Sequence, residues 1–340
     1  MLSSTINNLI LDLKPREREV LAGRFGLEKN KKETLAGLGK KYGITRERIR
    51  QIEADALEKL REEVRREKFV PIVSQVSRHL DGLGGLRRHD LLVQELRTLL
   101  DDEKLHDLHL HFLGAVTHQP FYYFDDAEFH SFWYVDEKIL KKLRKLIDHL
   151  EKMIGSRKEE LILENKFNHY LSRVSRIYNV AEPVGFNYVL VSRKFKANPF
   201  GNFGLSEWEE IEPKTMGGKA YLILKKQKTP FHFREVAQEI NRMRFDDKKA
   251  LPQTVHNELI KDPRFVLVGR GMYGLKEHGY LPGTAREIMT YILKKDGSMT
   301  ADNLLKAIAK QRILQKNTVV LNLHNKKYFR RLPNGKYGIK

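Results

Sequence analysis

The sequence predicts a mainly α protein with small β-hairpin wings, arranged as tandem helix-turn-helix and winged-helix domains. Two observations lead to this prediction. An apolar stripe at helical spacing follows a glycine turn near residue 43, and a helix-plus-hairpin pattern recurs toward residue 340. The 340 residues are enough for several domains, and an apolar fraction of 41% is enough for packed cores.

The first pattern predicts two helices joined by a tight turn. Gly43 permits the turn, and Thr45 has the side chain of a helix N-cap. The apolar residues that follow at helical spacing are Ile49, Ile52, Ala56 and Leu60. A shorter helix over 34–42, with Leu35 and Leu38 facing inward, precedes the turn. This is the spacing of a helix-turn-helix.

The opposite face of the second helix carries side chains that can bind base edges, namely Arg46, Glu47, Arg50 and Gln51. Arg can donate two hydrogen bonds to guanine, Gln can pair with adenine, and Glu can accept from cytosine. The alternative is a solvated, charged helix face, which is what such a pattern usually indicates. The supporting helix and turn favour DNA reading.

Matching residues along this region resemble the fourth conserved region of principal bacterial sigma factors, which reads the −35 promoter element. The matching stretches are Arg16–Leu21, Arg24–Leu27, Thr34–Leu35, Gly39, Thr45–Ala54, Ala56–Leu57 and Lys59–Arg61. The resemblance covers about residues 5–66 and assigns base reading to Arg46, Glu47, Arg50 and Gln51. With it we expect DNA backbone contacts from Thr34, Leu35, Thr45 and Arg48.

The remainder of the chain departs from that family. No stretch resembles the promoter-melting and core-binding helices, which in sigma factors precede this region, whereas here the region starts the chain. We therefore expect a protein that does not open promoters alone.

The net charge of +19 is unevenly distributed. The balance is +5 for residues 1–66, −2 for 67–210, +6 for 211–282 and +10 for 283–340, where 13 Lys and Arg accompany three Asp and Glu. Phosphate-facing charge is therefore expected near both ends. Simple solubility, or RNA binding by bulk charge, is the alternative for the basic C-terminal segment.

An internal repeat predicts winged helices. Gly271–His278 repeats Gly201–Trp208, and Gly335–Lys340 repeats it again. The last two copies align at a constant offset of 64 from Thr254 and Thr318 onward. Each copy is predicted to be a helix, a strand (265–268 or 327–330), a glycine turn and a second strand. Winged helices bind protein about as readily as DNA, so the role of the repeat stays open.

The middle copy has a resemblance of its own. Gly218–Leu224, Pro230–Ala237, Thr254–Leu259 and Asp262–Glu277 resemble a HARE-type helix-turn-helix domain over about residues 215–280. That family occurs in the delta subunit of bacterial RNA polymerase and in chromatin and DNA-modification proteins. The resemblance implies contact with polymerase or with DNA, without deciding between them.

The domain prediction is a helix-turn-helix over 1–66, a divergent winged helix over 67–135, a helical segment with a winged-helix-like module over 136–210, a HARE-type domain over 215–280 and a basic winged helix over 283–340. Helices are expected from Leu57 to Leu80, over 88–100, over 102–114 and over 136–153. The aromatic residues of 121–134 are expected to fill a hairpin core, with base stacking as the alternative.

No catalytic, cofactor or metal site is predicted. His106, His109 and His111 lie close together, but a helix would place only the first two on one face, and the chain has no Cys. Phosphate-cradling glycine loops, nucleophile motifs and paired-carboxylate nuclease motifs are absent from the sequence. Absence of Cys, of a leader and of an 18-residue apolar run predicts a cytoplasmic, nucleoid-associated bacterial protein.

Two functions remain from the sequence. One is a transcription regulator that binds double-stranded promoter DNA through a −35-like element, with phosphate contacts from Lys326, Lys327, Arg330, Arg331 and Lys336. The other is a delta-like accessory protein of core RNA polymerase that acts through protein contacts. Selection of a DNA motif without polymerase would distinguish them.

Overall fold

The computed structural model of the protein describes residues 2–28, 31–64 and 70–340. In these ranges the chain is mainly helical, and its short strands pair into sheets of two or three. The predicted class, mainly α with small β-hairpins, is confirmed. No helix in the same ranges combines the length and apolarity needed to cross a bilayer. The chain forms two units, residues 1–196 with 203–206 and residues 197–202 with 207–340.

Unit 1 begins with four helices: α1 (Leu2–Leu11), α2 (Pro15–Phe25), α3 (Leu35–Tyr42) and α4 (Arg46–Val64). Pro15 stands at the first position of α2, where its missing N–H removes no helical hydrogen bond. Helix α3 ends at Gly43, whose φ of 67° lies in the left-handed region. Thr45 then caps α4, because its Oγ1 accepts a hydrogen bond from the Arg48 backbone N–H at 3.1 Å. The predicted helix-turn-helix is thus formed by α3, the turn and α4.

The next segment has the element order helix, strand, helix, helix, strand, strand. These elements are α5 (Val70–Gly82), β1 (Leu86–Arg88), α6 (His89–Leu99), α7 (Asp107–Thr117), β2 (Phe121–Tyr123) and β3 (Phe132–Tyr134). Strand β3 lies between β1 and β2 and is antiparallel to both. This is a winged-helix arrangement. The continuous helix predicted from Leu57 to Leu80 includes residues 65–69, which lie outside the described residues.

Helix α7 begins five residues later than the sequence predicts. The Asp102 carboxylate accepts hydrogen bonds from the backbone N–H and hydroxyl of Ser3 at 2.7 and 2.6 Å. The Leu105 backbone N–H also donates to the Asp102 carbonyl at 3.0 Å. These long-range and local bonds stabilise a turn where periodicity alone predicts a helix.

The rest of unit 1 consists of α8 (Glu137–Ile154), α9 (Lys158–Leu163), α10 (Phe167–Ile177), α11 (Glu182–Val191), β4 (Phe195–Ala197) and β5 (Phe203–Leu205). Helix α8 is the predicted basic amphipathic helix, capped by Asp136. Helix α11 docks on the turn before β1. There the Asn187 amide donates to the carbonyls of Leu83 and Leu86 at 2.8 and 2.5 Å, and the Tyr188 hydroxyl donates to that of Gly84 at 2.9 Å.

Unit 2 contains two successive helix-and-hairpin modules. The first has α12 (Met216–Gln227), β6 (Phe231–His232), α13 (Phe233–Met243), α14 (Pro252–Lys261), β7 (Phe265–Gly269) and β8 (Met272–Leu275). The second has α15 (Ala285–Asp296), α16 (Ala301–Ala309), α17 (Lys316–Leu323), β9 (Phe329–Arg331) and β10 (Tyr337–Ile339). The Ile313 backbone N–H donates to the Val268 carbonyl at 2.6 Å and joins the modules.

Both modules begin their third helix and first hairpin strand 64 residues apart, as the repeat predicts: α14 and α17 start at 252 and 316, and β7 and β9 at 265 and 329. The strand predicted at 327–330 instead begins at Phe329. The Tyr328 backbone N–H donates to the Asn325 carbonyl at 3.1 Å and closes a turn there.

A single apolar core joins the N-terminal helices to the winged helix of residues 70–134. Leu110, Phe112 and Leu113 of α7 are buried in it together with Leu21 of α2 and Leu60 of α4. The second helix of a helix-turn-helix ordinarily faces DNA. In this winged helix that position belongs to α7, which is buried in protein. The predicted boundary between residues 66 and 67 remains a prediction, and the core extends across it.

The aromatic residues of the hairpin β2–β3 divide into two sets. Phe132 and Trp133 are fully buried, and the Trp133 indole N–H donates to His89 Nδ1 at 2.9 Å. Phe124 is 76% exposed and Phe121 is 37% exposed. The expectation that all these aromatics fill the core is therefore wrong for Phe124. It begins the loop between the strands, beyond the last residue that β2 pairs with β3.

The loop after Phe124 is bound within unit 1. Asp125 forms an ion pair with Arg193, and the Arg193 backbone N–H donates to the Glu128 carbonyl at 2.9 Å. The His130 backbone N–H donates to the Val191 carbonyl at 2.8 Å. An acidic loop that is fixed in this way is unsuited to contact DNA phosphates.

Helix α7 has one buried histidine, His109, and one half-buried histidine, His111. His109 is 3% exposed, and burial lowers its pKa to about 4, as burial does for the pKa of His111. His106 stacks on His109 with ring centroids 3.7 Å apart. Among the described residues, no group of three or more His, Asp or Glu side chains is placed to hold a metal ion.

We expect the stability of the protein to fall as the pH is lowered from about 6.5 toward 4. The unfolded chain protonates His109 and His111 near their ordinary pKa of about 6.5, whereas the folded chain does so only near 4. The unfolded state therefore binds more protons in this window, which lowers the free energy of unfolding by about 1.4 kcal/mol per histidine and pH unit. Urea denaturation across the window measures the slope.

His109→Asn should reduce this slope, because Asn keeps an acceptor for the His106 backbone N–H but does not titrate. His118→Asn is the control, since His118 is exposed and its φ of 60° suits Asn. Equal slopes in both variants would contradict the assignment to His109.

Candidate nucleic-acid interface

The helix-turn-helix is held by a small core with one residue from each of three helices. Val20 of α2, Leu38 of α3 and Ile49 of α4 are fully buried against one another. The turn packs closely on α3, where a Cβ added to Gly39 would lie 2.8 Å from the Ile44 carbonyl oxygen. Glycine at this position therefore lets the turn approach α3 and fixes the angle between α3 and α4.

Helix α4 is held along most of its length. Its first half packs through Ile49 on α2 and α3, and its second half packs through Ala56 and Leu60 on the core that contains α7. Polar contacts add to this. Arg24 Nε lies 3.1 Å from Glu53 Oε2, and Lys59 Nζ lies 2.5 Å from Glu17 Oε1. These contacts fix α4, so its exposed face is held in a single orientation.

The four predicted base-reading residues lie on that free face, and all are exposed. Two of them pair with each other: Arg50 Nη2 lies 2.6 Å from Glu47 Oε1, and Arg50 Nε lies 2.9 Å from Glu47 Oε2. This pairing lowers the pKa of Glu47 and raises that of Arg50. The face therefore carries a permanent anion and a permanent cation side by side.

The predicted backbone contacts of the N-terminal segment take part in local structure. Thr34 caps α3, where its Oγ1 accepts from the Gly37 backbone N–H at 3.0 Å, and Thr45 caps α4. The Leu35 side chain packs on the small core, so its contribution to DNA binding would come from its backbone N–H at the start of α3. Arg48 Nη1 donates to Gln51 Oε1 at 3.1 Å.

Sequence reasoning missed residues that hold the interface in place. The Arg16 guanidinium lies 4.3 Å from the centre of the Tyr42 ring, and the Arg24 guanidinium donates to the Glu33 carbonyl at 2.8 Å as well as to Glu53. The partners of Arg24 are separated from it by 9 and 29 residues. No local pattern marks such pairs, although their arginines lie within the resemblance.

The second set of predicted contacts lies in unit 2. All five cations are exposed: Lys326, Lys327, Arg330, Arg331 and Lys336. They surround the hairpin β9–β10, which is closed by a hydrogen bond from the Leu332 backbone N–H to the Lys336 carbonyl at 2.8 Å. Gly335 has a φ of 75° in this turn. The two predicted sets therefore belong to different units.

Comparison with known proteins identifies two segments. Residues 9–62 match the family model "Sigma-70, region 4". Residues 214–278 match the HARE-HTH family model, a helix-turn-helix domain whose description names ASXL and restriction endonuclease. Both predicted resemblances are confirmed. These are helix-turn-helix families, not families of catalytic domains, and together they indicate a DNA-binding function related to transcription.

Several sigma factors are among the curated proteins that this chain resembles. The RNA polymerase sigma factor SigA of Clostridium acetobutylicum is 48% identical over 69 residues, which are 20% of this chain and 18% of that protein. RpoS of Coxiella burnetii is 50% identical over 60 residues, 18% of this chain and 17% of that protein. RpoD of Neisseria gonorrhoeae is 45% identical over 68 residues, 20% of this chain and 11% of that protein. The chain thus spans less than a fifth of the length of each relative.

We predict that Arg50→Ala weakens binding to a cognate duplex by about 1–3 kcal/mol and relaxes base preference at one position. The reason is that an exposed guanidinium on a fixed helix can donate two hydrogen bonds to one guanine. Selection from a random duplex library, followed by affinity measurements on the selected site, tests this.

Lys141→Ala is the matched control, because it removes an exposed cation from α8, outside the helix-turn-helix. It should leave base preference unchanged. If Arg50→Ala weakens cognate and random duplexes equally, Arg50 contacts phosphate and not a base.

Proposed function

We propose that this protein is a DNA-binding transcription regulator that reads a −35-like promoter element through α4. The observation that carries the proposal is the exposed set Arg46, Glu47, Arg50 and Gln51 on a helix held at both halves, within a segment that matches sigma-70 region 4. The relatives are RNA polymerase sigma factors. We infer that this chain works on promoter DNA in the bacterial cytoplasm, associated with the nucleoid and without catalytic activity.

The basic module of residues 283–340 would supply affinity that does not depend on sequence. Its balance of +10 and the exposure of its hairpin cations support contacts with phosphates. Counterion release would then make binding strongly dependent on salt.

A second candidate function is an accessory role on core RNA polymerase through protein contacts. The match of residues 214–278 to the HARE-type family favours it, because the resemblance implies a domain that also occurs in the delta subunit of RNA polymerase. One observation counts against docking through the helix-turn-helix. The apolar sides of α2 and α4 that carry Leu21, Ala56 and Leu60 are already covered by α7. Selection of a DNA motif by the purified protein without polymerase favours the first function.

We predict that Lys327→Gln combined with Lys336→Gln weakens binding to every duplex and lowers the slope of log K against log salt by roughly two. Each exposed lysine is expected to neutralise one phosphate. Fluorescence anisotropy on a random duplex between 50 and 200 mM salt, about the range in which such effects are large, measures the slope. Lys294→Gln with Lys295→Gln is the control, since these cations are exposed on α15, outside the hairpin. An unchanged slope in the first variant would mean that its lysines face solvent or a protein.

The protein is further predicted to associate with RNA polymerase without replacing sigma. A recognition helix can position the enzyme, but strand opening needs aromatic residues that capture flipped bases on a polymerase-bound helix. In reconstituted transcription, core polymerase with this protein should give no specific initiation. Adding a complete sigma factor should then reveal activation or repression.

Specific transcripts from core polymerase and this protein alone would contradict that prediction. Phe124→Ala identifies the source in that case, because Phe124 is the exposed aromatic at the loop of the hairpin β2–β3. Phe121→Ala is a less exposed comparison on the same hairpin.

A further inference from the structure

The C-terminal module has a surface groove beside its hairpin. The groove has a volume of about 690 Å³ and lies between the end of α17 and strand β9. Its lining consists of Leu323, His324, Lys326, Phe329, Arg330, Arg331, Tyr337 and Lys340. No Asp or Glu side chain is part of this lining. The groove therefore has a cationic rim and an aromatic wall.

The 64-residue repeat provides an internal comparison. Lys326 corresponds to Asp262 in the HARE-type module, Arg330 to Val266 and Arg331 to Leu267. Val266 is only 3% exposed, and the Asp262 carboxylate lies 2.6 Å from Arg264, which also lies 2.6 Å from Glu209. The HARE-type residues at the positions of Lys326, Arg330 and Arg331 are thus a paired carboxylate and two apolar side chains, whereas Lys340 corresponds to the exposed Lys276.

The cations of the groove lack such neutralisation. In the part of the chain that the structure describes, no ion pair joins Lys326, Arg330 or Arg331 to a carboxylate, and all three are exposed. Clustered like charges repel one another, and an anionic ligand would relieve the repulsion. These cations would suit an anionic ligand, and the Tyr337 ring would suit a flat, apolar part of it.

The size of the groove distinguishes between nucleic acids. Sites of roughly 300–1,000 Å³ accommodate small molecules. A base that is paired and stacked in a duplex cannot turn into such a site, whereas an unpaired base can do so and stack on an aromatic ring. The partly buried Tyr337 lines the groove and offers that ring, while the flanking arginines suit the adjoining phosphates.

We propose that this groove binds an unpaired nucleotide of a single-stranded nucleic acid, with Arg330 and Arg331 on its phosphates and Tyr337 against its base. The proposal rests on the nucleic-acid function proposed above and assigns a different nucleic acid to these residues. Lys327 and Lys336, which do not line the groove, keep the contacts with duplex phosphates.

The test uses the full chain and anisotropy with three probes: a single strand of 15 thymidines, a single strand of 15 uridines and a random duplex of equal length. Arg330→Gln combined with Arg331→Gln should weaken single-strand binding about tenfold or more, and duplex binding by less than about threefold. Lys327→Gln with Lys336→Gln is charge-matched and should show the reverse preference. The two single strands distinguish DNA from RNA as the source of the nucleotide.

Tyr337→Leu should weaken single-strand binding by roughly tenfold through lost stacking, and Tyr337→Phe should retain it. Because Tyr337 also packs on the core of the module, thermal unfolding is measured for both variants. Equal losses on single strands and duplex in the arginine variant would overturn the proposal, as would an unchanged affinity in a folded Tyr337→Leu protein.

Failure of the proposed function gives a different result. If the protein selects no duplex motif but single-strand binding depends on Arg330, Arg331 and Tyr337, the promoter-reading function fails and the groove assignment stands. If a motif is selected through Arg50 while the groove variants bind single strands normally, only the groove assignment fails.

Discussion

The packing of α7 against α1, α2 and α4 is the interaction on which unit 1 depends. The helix-turn-helix alone has three fully buried side chains, Val20, Leu38 and Ile49. Their burial contributes on the order of 5–9 kcal/mol. Ordering the backbone costs about 1–2 kcal/mol per residue, so three helices with this core alone would not be stable. The apolar surface of α7, with Phe112 and Leu113, supplies the missing burial and also fixes the second half of α4.

Because it is packed against α1, α2 and α4, α7 is unavailable for binding another molecule. In the winged helix of residues 70–134, α7 holds the position that reads DNA in a helix-turn-helix, yet its apolar residues are buried and its neighbouring loop is acidic and bound to residues 191–193. The HARE-type module has the same strand order, with its last strand between the other two. The C-terminal module has a basic hairpin and an open cationic groove. One fold can thus form a support in one place and an exposed cationic surface in another, because function resides in the surface residues and not in the fold.

The exposed face of α4 combines a fixed backbone with exchangeable side-chain contacts. Glu47 and Arg50 are each about 60% exposed, and pairs of this kind contribute about 1 kcal/mol or less. The pair can therefore orient Arg50 in the free protein and still give way to a base edge without a large penalty. Rigidity comes from Ile49, Ala56 and Leu60 beneath the face, so binding does not have to order the helix.

The sequence by itself determined the features that depend on near neighbours. Turn glycines, capping threonines, the apolar stripe of α4 and the 64-residue repeat are local patterns, and each predicts its element because backbone geometry and periodicity act within a few residues. The position of Arg46, Glu47, Arg50 and Gln51 on the exposed face of α4 was predicted from the same helical periodicity. The resemblance of two segments to known families was also carried by contiguous residues, and the comparisons confirm it.

Only the tertiary structure decided what those elements contact. The start of α7 was set by Asp102 binding Ser3, 99 residues away, which no periodicity contains. Trp133 is buried in the core and Phe124 is exposed, although both belong to the same aromatic pattern. In the HARE-type module Arg264 pairs with Glu209, 55 residues away, which no local pattern predicts. Long-range contacts of this kind depend on which surfaces pack together in three dimensions, and the spacing of residues along the sequence does not show which surfaces those are.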